Sequence, residues 1–202
     1  VQAYGVPDIG TLVVFAIPVR MLERDAQQRT VSRDYSARLR VVVGDSSQGV
    51  IAGALDTLRH WQLAAPATAT TQLTGYVVVP AAPGEWSVSV VLSDLARRSG
   101  TGLRIGNGPV ADFDGLKLRL SDLIVGNDSS GLAWRHGVIS VPLNPRNAWR
   151  SNEPAVLSYP LDGLVPGRQY ETRIEIWDAA GSPTTFRNAI AFTTGASQAT
   201  MS

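Results

Sequence analysis

Acidic side chains gather in one stretch near the middle of the chain. It contains five candidate metal ligands: Asp112, Asp114, Asp122, Asn127 and Asp128. Loop carboxylates and amides are the ligands that calcium prefers. The stretch lacks the regular acidic spacing and the closing glutamate of an EF-hand, and Asp and Asn also form ordinary turns by bonding their own backbone. We therefore predict turns and no metal site, with calcium as the alternative.

The side chains that most often perform catalysis are scarce. The chain has no cysteine, and its two histidines, His60 and His136, have no partner ligand at a recognised spacing. The segment Gly44-Asp-Ser-Ser-Gln-Gly49 departs from the Gly-x-Ser-x-Gly of a serine nucleophile elbow, so we interpret it as a polar turn. We predict no catalytic residue, no cofactor and no enzymatic activity. A hydrolase built on carboxylates that converge in a cleft stays open, because such convergence is a tertiary property.

Tryptophan and arginine stand together in two places. Trp134 and Arg135 precede a predicted strand, and a long loop over residues 144–154 carries Trp149 between Arg146 and Arg150. These residue types are the most enriched among interface hot spots, and loops commonly carry the contacts of a domain. We predict that both places bind a partner. The alternative is that Trp134 or Trp149 fills the core.

The N-terminal segment adds one more candidate. Tyr4 lies among apolar residues near Pro7, a composition that suits an extended arm lying on a neighbouring molecule. The predicted partner-binding set is therefore Tyr4, Trp134, Arg135, Arg146, Trp149 and Arg150.

Composition limits the classes of partner. The chain has 202 residues, 44% of them hydrophobic and 17% charged, with a net charge of +1. It is therefore expected to fold, and its dispersed basic residues do not predict binding to nucleic acid. No apolar run is long enough to span a bilayer as a helix, so we predict no transmembrane segment.

Strand patterns dominate the elements that must position these residues. Side chains alternate between apolar and polar over Tyr35–Val43 and Glu85–Asp94, and turn residues recur at short intervals. Residues 50–65 are the most ambiguous segment, because Leu55, Leu58 and Trp61 also have a helical spacing; we favour a strand. We predict an all-β fold with little or no helix. It would form two immunoglobulin- or fibronectin III-like sandwich lobes, residues 1–125 and a smaller lobe 126–202.

Two motifs carry family resemblances. The stretch Leu161–Gly181 contains Gly-Leu-x-Pro-Gly-x-x-Tyr and resembles fibronectin type III domains, in which the leucine and tyrosine anchor a strand. Together with the Pro-Gly-Glu-Trp unit at Pro83–Trp86 and the alternating run Leu116–Val125, it is similar to the C-terminal β-sandwich region of bacterial GWxTD-domain proteins. The naming motif itself is absent. This resemblance covers residues 75–192, implies an exported sandwich module, and carries over no catalytic residue.

These observations favour binding over catalysis. We expect a structural module of an exported bacterial protein that holds other protein subunits in a larger assembly, extracytoplasmic and peripheral to a membrane. One concrete version is an extrinsic subunit of a photosynthetic reaction centre with its antenna. The alternative is a carbohydrate-binding or enzyme-accessory sandwich that stacks sugars on Trp134, Trp149 and Tyr159.

Overall fold

The computed structural model describes residues 1–6, 8–19, 33–45, 48–68, 70–94, 99–110, 117–127, 130–136, 139–196 and 199–201. Within these ranges the chain forms strands in several sheets and no α-helix. The predicted all-β class is therefore confirmed.

Fifteen strands lie in the described ranges. The first seven are β1 (Gln2–Val6), β2 (Gly10–Pro18), β3 (Asp34–Asp45), β4 (Val50–Gln62), β5 (Gln72–Val79), β6 (Gly84–Asp94) and β7 (Ser99–Val110). The other eight are β8 (Arg119–Leu120), β9 (Ile124–Gly126), β10 (Ala133–His136), β11 (Ile139–Pro142), β12 (Val156–Asp162), β13 (Gln169–Trp177), β14 (Pro183–Thr193) and β15 (Ala199–Met201).

The first seven strands form two antiparallel sheets that share one apolar core. One sheet has the order β1-β2-β5 and the other β4-β3-β6-β7. Their inward side chains include Val13, Phe15, Ile17, Leu39, Val41, Val43, Leu73, Val77, Val88, Val90 and Leu92. Residues of β3 and β6 alternate between this core and the outer surface, as a period of two requires.

Strand β4 resolves the ambiguous segment in favour of the strand. Leu55 and Trp61 pack against the core, whereas Leu58 is 54% exposed on the outer face. A spacing of three residues reverses the face of a strand, so a helix-like spacing here places its middle member in solvent.

Strand β2 is buried on both of its faces. Val13 and Phe15 face the sandwich core, while Leu12 and Val14 face a second cluster on the other side of the sheet. A strand covered on both faces has no polar side, which explains its continuous apolar sequence.

The strands after β7 provide that second cover. Strand β12 pairs with β8, β9 and β15, while β10 pairs with β11 and β13 with β14. Ile124, Trp134, Val141 and Leu143 pack in one cluster with Leu12 and Val14 of β2. The later strands therefore share an apolar interior with the first sheet.

Side chains bond the backbone at both edges of the β1-β2-β5 sheet. At the β1 edge, Gly5 N–H donates to Asp122 Oδ2 at 2.6 Å, and Gly5 O accepts from Ser121 Oγ at 2.7 Å. At the β5 edge, the carbonyls of Thr74 and Tyr76 accept from Trp61 Nε1 and Arg59 Nη2. Unpaired strand edges invite association with other chains, and these bonds close four edge groups.

Removing the carboxylate at the β1 edge is expected to destabilise the fold. Asp122→Ala should lower the free energy of unfolding by about 2 kcal/mol, because it deletes a hydrogen bond to a charged acceptor. Urea unfolding followed by tryptophan fluorescence measures this.

The matched variant is Ser121→Ala, which removes the hydroxyl that bonds the carbonyl of the same Gly5. The double variant should lose less than the sum of the two single losses, because both bonds hold one residue. An unchanged unfolding midpoint for Asp122→Ala would contradict the role of this edge contact.

Candidate functional site

The loop 144–154 connects β11 to β12 and begins with a turn closed by an asparagine. Asn144 is buried; its Nδ2 donates to Ala148 O at 3.0 Å, and its carbonyl accepts from Asn147 N–H at 3.1 Å. Asn147 has a φ of 49°, a left-handed conformation that asparagine tolerates better than most residues. The sequence therefore fixes the first half of the loop locally.

A second turn closes the other half. Glu153 Oε2 accepts from Arg150 N–H at 3.2 Å, and Glu153 N–H donates to Arg150 O at 3.0 Å. Trp149 lies between the two turns and is 38% exposed. The loop is thus ordered by its own hydrogen bonds, and it presents Trp149 at the surface.

This loop lines a pocket of about 360 Å³. Its lining includes Asn127, Asn144, Arg146, Trp149, Arg150 and Glu153. Ser130 fixes the opposite wall, because its N–H donates to Asn127 Oδ1 and its hydroxyl donates to Leu143 O. The volume lies at the small end of the range for ligand pockets. We call it the loop pocket.

Three donor groups of the loop pocket have no partner in the part of the chain that the structure describes. Neither the guanidinium groups of Arg146 and Arg150 nor the indole N–H of Trp149 forms a hydrogen bond or an ion pair with a described residue. Two acceptors are engaged, since Glu153 Oε2 and Asn127 Oδ1 accept backbone N–H groups. The pocket can therefore supply donors to a bound group.

The remaining predicted residues lie apart from this pocket. Trp134 is 6% exposed and belongs to the core cluster on β2, so it fills the core rather than presenting a surface. Arg135, next to it on β10, is exposed. Tyr4 lies on β1, where the expected arm is an edge strand paired with β2; its ring is half-buried and its hydroxyl donates to Gln2 Oε1 at 2.7 Å. The structure thus brings together Arg146, Trp149 and Arg150 alone of the predicted set.

Sequence reasoning missed the exposed face of the β13–β14 hairpin. The pairs Tyr170–Phe192 and Thr172–Ile190 share one face by register, and Ile174 continues that face. Ile176 and Phe186 follow where the register shifts after Glu175. Large apolar side chains are exposed here, with Ile176 at 49%, Phe186 at 48% and Ile190 at 41%. We call Ile174, Ile176, Phe186 and Ile190 the hairpin apolar face.

The base of this hairpin is anchored to the body. Tyr170 stacks on Phe192 with ring centroids 5.9 Å apart, and both rings pack against buried Tyr159, Leu161 and Leu164. The Tyr170 hydroxyl also accepts from Val165 N–H at 2.7 Å. The apolar surface that is buried at the base therefore continues uncovered toward the tip.

The strongest nucleophile-like pair lies on the outer face of the large sheet. Ser36 Oγ and His60 Nδ1 are 2.7 Å apart, in register on β3 and β4, and both residues are exposed. The position is a solvated sheet surface without the donors that would stabilise an oxyanion. We assign this pair no chemistry.

A charged cluster stands beside the Ser36–His60 pair on the same face. Asp56 accepts from Arg38 and Arg40, and the hydrogen bond from Arg38 holds the pKa of that carboxyl below its usual range. The described residues hold no group of His, Asp and Glu suited to a metal ion. Of the calcium candidates, Asp112, Asp114 and Asp128 lie outside the described residues.

Comparisons with protein-family models, with curated proteins and with solved structures find no match. The resemblance to GWxTD-domain proteins and to fibronectin III domains therefore stays a prediction. The described chain holds no helix long and apolar enough to cross a membrane.

The Tyr4 phenol is expected to make stability fall at alkaline pH. Burial raises the pKa of Tyr4, and the nearby Asp122 carboxylate raises that pKa further. Because the folded pKa exceeds the unfolded value, this contribution is present below pH about 10 and is lost as the pH rises through the folded pKa.

Tyr4→Phe keeps the ring and removes the ionisation. Its free energy of unfolding should fall less steeply above pH about 10 than that of the parent chain. Urea unfolding at a series of alkaline pH values measures both slopes. Parallel slopes would show that Tyr4 does not titrate differently in the folded state.

Proposed function

We propose that this chain is a non-enzymatic binding module that holds other protein subunits in a larger assembly. The observation that carries the proposal is the hairpin apolar face, which leaves Ile176, Phe186 and Ile190 between 41% and 49% exposed. A two-stranded hairpin is at best marginally stable in water by itself. A protein surface laid over the exposed part would stabilise it and bury these side chains.

The charge on the hairpin favours a protein partner. The opposite face carries Glu171 and Glu175 with Arg173 and Arg187, so the two signs balance, and Arg173 pairs with Glu171 at 2.8 Å. Nucleic acids and anionic lipid surfaces attract patches of net positive charge. A hairpin with balanced charge and exposed Ile176, Trp177 and Phe186 suits contact with an apolar protein surface instead.

The proposal includes a division of the all-β fold into two sandwich lobes. We infer two immunoglobulin- or fibronectin III-like lobes, residues 1–125 and 126–202. The seven strands in two facing sheets support the first lobe. The buried Leu164 and the Tyr170 hydroxyl bond at the base of β13 support the second, because a tyrosine bonded to upstream backbone is a mark of such sandwiches.

The proposed location rests on the family resemblance, which implies an exported module. A module of an exported bacterial protein would work outside the cytoplasm, peripheral to a membrane, without a cofactor of its own. One specific form of the proposed function is that of an extrinsic subunit of a photosynthetic reaction centre with its antenna. Absorption spectra of the native preparation test it, since co-purifying bacteriochlorophyll proteins would support that version and their absence would remove it.

Two serine substitutions on the hairpin apolar face are expected to weaken the assembly. Ile176→Ser with Phe186→Ser removes two exposed apolar side chains and should lower affinity at least about tenfold, as for a hot-spot pair. The tagged chain is expressed in the native host, the co-purifying subunit is identified by mass spectrometry, and its binding to the purified chain is measured.

The matched control is Ala189→Ser with Ala191→Ser, two exposed positions on the opposite face of the same hairpin. This control should bind as the parent chain does. Equal binding by the apolar-face variant would overturn the role of the hairpin. A parent chain that purifies alone as a monomer would overturn the assembly function.

The carbohydrate-binding alternative keeps one supporting residue. Trp134 and Tyr159 are 6% and 5% exposed, so of the three candidate aromatics only Trp149 in the loop pocket could stack on a sugar. Tryptophan fluorescence titrations with soluble neutral polysaccharides, on the parent chain and on Trp149→Phe, separate this function from protein binding.

A further inference from the structure

We propose that the loop pocket is a receptor for carboxylate side chains in an acidic segment of the partner protein. This inference rests on the proposed function, and it adds a second, chemically distinct contact to the hairpin apolar face. Arg146, Trp149 and Arg150 are the residues that would bind the acidic segment.

The balance of donors and acceptors points to this ligand. Among the described residues, the guanidinium groups of Arg146 and Arg150 and the indole N–H of Trp149 form no hydrogen bond and can donate to a ligand. A sugar hydroxyl both donates and accepts, so a neutral sugar would use these donors only in part. An ionised carboxylate only accepts, and it matches these three donor groups.

Local hydrogen bonds occupy three acceptors at the pocket. Glu153 Oε2 accepts from Arg150 N–H, Asn127 Oδ1 accepts from Ser130 N–H, and the backbone carbonyl of Asn144 accepts from Asn147 N–H. The bonds that order these turns therefore also occupy acceptors at the pocket.

Charge and geometry agree with that balance. Two arginines and one glutamate give the lining a net charge of +1. A guanidinium presents parallel N–H groups that bind a carboxylate in bidentate fashion, and such charge-assisted bonds are the strong ones. The two turns of the loop hold the backbone of both arginines, so little ordering of the main chain is needed on binding.

An acidic peptide fits the pocket better than a free anion. Trp149 is 38% exposed beside the arginines, and its ring offers apolar area to the methylene groups of a glutamate and to the peptide backbone. The volume of about 360 Å³ is enough for a side chain with its flanking backbone.

The test measures binding of a blocked oligoglutamate peptide to the full chain by calorimetry at low salt. The parent chain should bind this peptide and should not bind the matched oligoglutamine. Arg146→Gln and Arg150→Gln should each weaken binding about tenfold, the loss of one charged hydrogen-bonding group. Arg150→Lys, which keeps the charge without the planar fork, should fall between Arg150→Gln and the parent.

Two further variants serve as controls. Arg33→Gln removes an exposed arginine that neither lines the pocket nor belongs to the predicted partner-binding set, and it should bind oligoglutamate as the parent does. Glu153→Gln keeps an oxygen that can accept the Arg150 N–H and removes the negative charge, so it should bind the acidic peptide more tightly. Circular dichroism confirms that each variant is folded.

Four outcomes would overturn the proposal. Equal binding of oligoglutamine would show that charge is not recognised. An equal loss in Arg33→Gln would show diffuse attraction to a basic surface. Tighter binding of oligogalacturonate than of oligoglutamate would assign the pocket to an acidic polysaccharide, and equal competition by inorganic phosphate would assign it to free anions.

The hairpin variants distinguish a failure of the pocket proposal from a failure of the proposed assembly function. Ile176→Ser with Phe186→Ser leaves the loop pocket intact and should bind oligoglutamate as the parent does. If the parent assembles with its partner yet ignores oligoglutamate, the pocket proposal alone is wrong. If it binds oligoglutamate but purifies without a partner, the assembly function fails while acidic-peptide recognition stands.

Discussion

Burial of the β1-β2-β5 sheet on both faces is the constraint on which the rest of the structure depends. Leu12 and Val14 are withdrawn from water on one side of β2, and Val13 and Phe15 on the other. Leaving either face open would expose a row of large apolar side chains, each worth about 2 kcal/mol when buried. The later strands must therefore pack on the first sheet, which places Trp134 in the interior and leaves the loop 144–154 at the surface.

The backbone groups at the edges of the β1-β2-β5 sheet need hydrogen-bond partners, and this need determines where the neighbouring segments run. A buried peptide group without a partner costs about as much as a lost hydrogen bond. The segment before β9 meets that requirement with Ser121 and Asp122 on Gly5, and β4 meets it with Arg59 and Trp61 on β5. These contacts explain why Gln2–Val6 is a strand of the chain's own sheet rather than an arm for a neighbour.

The sequence predicted the elements whose side chains alternate over many residues. Strands β3 and β6 are long and have one buried face, so their period of two is visible in the sequence. It could not separate Trp134 from Trp149, because β10 has four residues and its neighbours across the core come from distant strands. Nor could it show the hairpin apolar face, since Ile174 and Ile176 alternate with charged residues as in any half-buried strand. Whether another layer covers that face depends on tertiary packing, which the local sequence pattern does not encode.

The two surfaces are complementary in their physics. An apolar ribbon contributes affinity in proportion to the area it buries, but that attraction has little direction and would accept many partners. In the proposed module, guanidinium groups covered by a partner would provide selectivity, because a partner without an acceptor would leave Arg146 and Arg150 unpaired at a substantial cost. Donors on a loop ordered by its own bonds, and apolar area on a hairpin anchored at Tyr170, would then separate selectivity from affinity in one small chain. A module that binds one particular subunit would need that separation, since neither surface alone would be both tight and discriminating.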